Sequence, residues 1–165
     1  METTKGLAVA LKAVDIEKVE ERVDRLLATI DSRVFQRHQE QVNVNRATAR
    51  KHYREVIKYL LAGLEYPGDE YFFTPSHIVD EAWHNFILFT ELYGDWCLEQ
   101  LGQFVHHVPC MKGEVFDQVK VVAGNQILID VYDVDKKIWT FDSAECGTCG
   151  QGQPCGQGSC SCGHK

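Results

Sequence analysis

The sequence lacks any apolar run long enough to cross a bilayer, and residues 1–18 have too short an apolar centre and too early an acidic flank for a secretory signal. These two absences set aside a membrane partner and make a cytoplasmic location the expectation. An excess of positive charge is also missing, because 17 lysines and arginines against 24 aspartates and glutamates leave a net charge of -7. Such a surface repels phosphate, so no nucleic-acid partner is expected. The one basic cluster, Arg46, Arg50, Lys51, His52 and Arg54, reads as the solvated face of a helix. No phosphate-cradling glycine loop, no Gly-x-Ser-x-Gly elbow and no internal repeat occurs.

Large apolar side chains are absent from residues 146–165, CGTCGQGQPCGQGSCSCGHK, which hold five of the seven cysteines. A stretch of glycine, glutamine and serine cannot build a core, and the pattern predicts a flexible Cys/Gly-rich tail over 143–165 appended to a folded domain over 1–142. Its thiolates have three outlets: a metal, one another as disulfides, or an external oxidant. Cys146, Cys149, Cys155, Cys160 and Cys162, with His164 as an alternative donor, offer soft ligands. Four of them suit zinc, and monovalent copper accepts the same sulfur at lower coordination number.

The remaining chain is patterned mainly for helices. Asp15 can cap a helix over 16–30, with Ile16, Val19, Val23, Leu26, Leu27 and Ile30 on one face. A second helix over 45–64 aligns Ala49, Tyr53, Val56, Ile57, Leu60 and Leu61, and the pattern does not decide whether it extends back through 35–44. A third begins after Thr74-Pro75-Ser76, carries Val79, Trp83, Phe86, Tyr93 and Cys97 on a core-facing stripe, bends or divides at Gly94 and ends at Gly102. In 115–141 β-branched residues alternate around Ala-Gly-Asn and Asp-Lys-Lys, which predicts two or three short antiparallel strands. The expected fold is therefore mainly α with a small β element: about three helices, a C-terminal hairpin or three-stranded sheet, and the tail.

A second group of chemical side chains lies in and after the third helix. Asp80 and His84 are one turn apart on one face, and Glu81 and Glu91 lie close to the same line. His106 or His107 can return after Gly102 to give a mixed histidine and carboxylate site for a divalent ion. The bland alternative is a core histidine satisfied by Asp80, followed by a His-His-Val-Pro segment that ties down a helix end. Glu81-Ala-Trp-His84 has the form used by carboxylate-bridged diiron bundles, but no second Glu-x-x-His accompanies it. Cys97 falls on the buried stripe, and Cys110 lacks an oriented base.

The segment from Thr74 through Asp80, Trp83 and His84 to Thr90, followed by Tyr93, Cys97, Gly102, His106-His107 and Pro109, resembles the glycine-rich domain-containing-protein-like family. That family occurs as small bacterial proteins and as the N-terminal part of larger plant proteins, and the likeness spans about residues 49–109. It implies a functional constellation at Asp80, His84 and His106-His107 and implies no particular substrate. One departure is Phe86, where family members often place a second histidine. The expectation from all these features is a metal-binding protein, zinc first with copper or iron as alternatives, that handles metal or engages a protein partner. Two alternatives stand beside it: an enzyme with its metal around His84, and a tail that serves as redox partner or modification substrate.

Overall fold

The computed structural model describes residues 16–108 and 115–139. Among the described residues, six α-helices follow in order: α1 Ile16–Ala28, α2 Ser32–Val42, α3 Arg46–Glu65, α4 His77–Ile87, α5 Thr90–Trp96 and α6 Gln118–Asp130, with one π-helical turn, Cys97–Leu101, continuing α5. The expected Asp15 cap, Cys110 and the tail ligands Cys146, Cys149, Cys155, Cys160, Cys162 and His164 lie outside the described residues.

The local chemistry explains most of these boundaries. Asp31, Asn45, Ser76 and Asp117 each cap the helix that follows by accepting a backbone N–H of its first turn. The stretch left undecided by sequence is a separate helix, α2, whose exit through Asn43 in the left-handed region allows the chain to turn before Asn45. Helix α3 is the central element and packs against α1, α2, α4 and α6. Its Ala49, Tyr53, Val56, Ile57, Leu60 and Leu61 are all buried, as the periodicity requires.

The third expected helix is divided at Leu88-Phe89, not at Gly94, which lies within α5. Phe89 leaves helical geometry at φ -88° and ψ 65°, so the chain changes direction there and brings Trp83, Phe86, Tyr93 and Trp96 onto one core. Gly102, at φ 78°, ends the π turn as expected.

The expected C-terminal strands are not formed: no described residue is in a strand, and the region holds α6. Val121, Gly124 and Leu128 recur at helical spacing on its buried side, while the β-branched Val119 and Val122 face solvent. Apolar residues on both sides hid the helical period. Gly124, expected in a hairpin turn, sits inside the helix where a Cβ would come 2.4 Å from the backbone oxygen of Phe72. The 70–76 connection crosses α6 at that point, and Phe72 N donates to the Lys120 carbonyl at 3.0 Å. Only the Asp-Lys-Lys turn survives from the hairpin reading, with Asp135 accepting from the backbone N–H groups of Ile138 and Trp139.

The core runs from Val23 on α1 to Trp139. None of the described helices is long and apolar enough to cross a membrane.

Candidate metal centre

Asp80 occupies the first turn of α4 and is 4 % exposed, an unusual position for a carboxylate. Its burial is compensated by two imidazoles. His84, one turn later, places Nδ1 at 2.8 Å from the Asp80 carbonyl and 3.3 Å from Oδ2. His107 arrives from the segment after Gly102 and places Nε2 at 3.0 Å from Oδ1. The two rings lie 4.3 Å apart between centroids, and each of the three residues offers a ligand atom within 4.8 Å of the others.

The electrostatics follow from this geometry. Burial alone would push the Asp80 carboxyl up, but its hydrogen bonds to His107 and His84 outweigh that effect and hold it below its ordinary value. The same bond to Asp80 raises His84 against the opposing effect of its partial burial, and Glu81 adds to the rise. Because a carbonyl can only accept, His84 Nδ1 carries a proton here. A cation entering among these groups takes the place of the protons that link them.

The third member of the cluster, His107, is set in place by a side chain outside it. Tyr93 accepts a hydrogen bond from Trp83 Nε1 at 3.0 Å and donates one to the Val105 carbonyl at 2.7 Å. It thereby ties α5 to α4 and to the returning segment, two residues before His107. Trp83 backs the His107 ring at 4.6 Å. His106, a candidate from sequence, is exposed with its ring 4.7 Å from that of Phe104, and it does not join the cluster. Glu81 and Glu91 also remain outside the group.

Two buried polar groups were missed by sequence reasoning. His38 on α2 and His52 on α3 face each other at 2.9 Å, with Asn85 of α4 behind His38 at 3.3 Å. Asn85 also donates to the Glu81 carbonyl at 3.0 Å, so its NH2 end faces His38 and leaves Nδ1 of that ring bare. His38 then donates from Nε2 to His52. Burial, followed by the neighbouring His52, pushes His38 down to about 4, and burial lowers His52 as well. The second group is ionic. Glu55 accepts from Trp139 Nε1 at 2.8 Å and from Asp135 N at 3.2 Å, and Lys58 binds Glu20 at 2.7 Å and the Asp133 carbonyl at 3.0 Å. The basic cluster expected on a solvated face is thus split: Arg46, Arg50 and Lys51 are exposed, His52 is buried, and Arg54 pairs with Glu20 and Asp24. A helical period shows that His38 shares a face with Val34, but nothing in the sequence shows that His52 meets it.

Fold and cluster together define a class, a helical protein whose two histidines and one carboxylate form a group capable of holding a metal ion. Within that class, the family model described as UCP032817-like matches residues 20–120, more than half of the chain, and the protein belongs to this family. Neither a curated protein nor a solved structure gives a significant match.

Proposed function

We propose that Asp80, His84 and His107 bind a divalent transition metal of the zinc or ferrous class, and that the protein is a metal-dependent enzyme. The observation that carries this reading is the meeting of the three ligand atoms within 4.8 Å, with Asp80 buried beneath two imidazoles. Two nitrogen donors and one oxygen donor suit these ions better than magnesium or calcium, which take oxygen, or monovalent copper, which takes sulfur. Three protein ligands leave coordination positions for a substrate oxygen or a water molecule, and the His84 side chain is 39 % exposed, which gives those positions access to solvent. When bound, the metal supplies Lewis acidity. Asp80 orients both imidazoles, and Trp83 supports one of them. The likeness to the glycine-rich domain-containing-protein-like family, carried by the same residues, supports the assignment.

The test is elemental mass spectrometry on anaerobically purified full chain, on a form truncated after Asp142, and on His84→Ala and His107→Ala. One equivalent of metal is expected in the first two, with loss in both point variants and helical circular dichroism retained. Metal that departs with the tail and is indifferent to His84 would overturn the assignment and move the site to the cysteines of 146–165.

A further inference from the structure

Resting on that metal reading, we infer that the chain completes the centre itself: a thiolate from Cys146 or Cys149 occupies one of the coordination positions that Asp80, His84 and His107 leave open. The described residues end at Trp139, and the backbone is well fixed there. Trp139 is 2 % exposed and its Nε1 donates to Glu55 at 2.8 Å; Asp135 N donates to the same carboxylate at 3.2 Å, and Lys58 donates to the Asp133 carbonyl at 3.0 Å. The segment that leads to Cys146 therefore departs from a firm point on α3.

That point is close to the centre. Ring centroids lie 6.2 Å apart for Trp139 and Tyr59, 5.4 Å for Tyr59 and Trp83, and 4.6 Å for Trp83 and His107. These three steps hold Trp139 within about 16 Å of His107, however the path bends. An unstructured linker spans about 5–6 Å times the square root of its residue number. The seven residues from Trp139 to Cys146 and the ten to Cys149 then cover roughly 15–17 Å. Fully extended, the seven alone reach about 23–25 Å, enough to pass around Trp83 over the surface. Effective concentration peaks when linker span matches the distance to be covered and lies in the millimolar range for short linkers. Cys155, Cys160 and Cys162 are further along the chain and correspondingly diluted.

The chemistry of the donors agrees. Two neutral imidazoles and one carboxylate leave a divalent ion with one positive charge, which a single thiolate cancels, and zinc-class ions take sulfur beside nitrogen readily. The thiol gives up its proton to solvent as the sulfur–metal bond forms. The incoming group has access on the His84 side, which is 39 % exposed against 14 % for His107. Cys97, fully buried in the core, has no such access. The thiolate holds a position that a substrate oxygen or water would take, so modification of the thiol frees that position.

The experiment titrates cobalt into the reduced, anaerobic full chain up to one equivalent and reads the thiolate-to-cobalt charge-transfer band together with the ligand-field spectrum. The parent chain should show the band of one thiolate per cobalt. The double variant Cys146→Ser, Cys149→Ser should lose that band, keep a ligand-field spectrum and bind cobalt roughly 10- to 100-fold more weakly. The triple variant Cys155→Ser, Cys160→Ser, Cys162→Ser and the single variant Cys110→Ser should keep the band, and His84→Ala should lose the one-thiolate spectrum. A His84-dependent ligand-field spectrum without a thiolate band, or a band that follows Cys110 or the three outer cysteines, overturns the inference and leaves the metal centre standing. A thiolate spectrum indifferent to both His84→Ala and His107→Ala places the cobalt on the tail alone and overturns both readings.

Discussion

Tyr93 shows how a residue outside the Asp80–His84–His107 cluster positions one of its members. Its hydroxyl joins the Trp83 indole to the Val105 carbonyl, and His107 stands two residues beyond. Tyr93→Phe should therefore do two separable things. It leaves the buried Trp83 N–H without its acceptor, which costs about 1–3 kcal/mol in a denaturant titration. It also weakens metal binding in a chelator competition, and adding it to His107→Ala should weaken binding no further, because the ligand it positions is already gone. Additive losses in that double variant would show that Tyr93 acts only on stability. At this scale the sequence disclosed Asp80 and His84, since one helical turn fixes their separation whatever the fold. It left His106 and His107 undecided, because the choice depends on a bond from Tyr93 to a carbonyl twelve residues away. The His38–His52 pair was not legible for the same reason: it joins two helices through a turn, across fourteen positions.

Helices α1 and α3 were readable because their apolar residues recur at the helical period and all of the periodic positions of α3 are buried, although α3 also buries His52, Glu55 and Lys58 on its other sides. Helix α6 was not, since Val119 and Val122 face water and Gly124 interrupts a helix where composition suggests a turn. What decided the structure there was the crossing of the 70–76 connection, a tertiary contact that local propensity does not encode. Two glycine substitutions separate these effects. Gly63→Ala in α3 adds a Cβ with nothing within 4 Å and should stabilise the protein by roughly 0.5–1 kcal/mol, the usual helical gain. Gly124→Ala should destabilise it by about 1–3 kcal/mol or more despite the same gain, because the new methyl meets the Phe72 backbone. Urea unfolding of the two variants beside the parent protein gives both signs directly.

At the scale of the whole molecule, the His38–His52–Asn85 group ties α2, α3 and α4 together through neutral rings. His38 is pushed from 6.5 to about 4, so between those values the unfolded chain binds a proton that the folded chain refuses. Stability then falls as pH drops through that window and is restored as pH rises above 6.5. Protonation would also set a second N–H of His38 against the Asn85 amide, loosening the junction of three helices. Thermal melts of the parent chain and of His38→Gln across this range should show a steeper acid decline in the parent; parallel curves would remove His38 as the cause.

The stretch that carries the cluster governs how the protein can be cut. Trypsin cleaves after lysine or arginine, and between Lys58 and Lys112 it meets neither. Complete digestion therefore leaves Asp80, His84, Tyr93 and His107 together on a single peptide, 59–112. A covalent probe that enters the centre marks that one fragment, whichever of these residues it reaches.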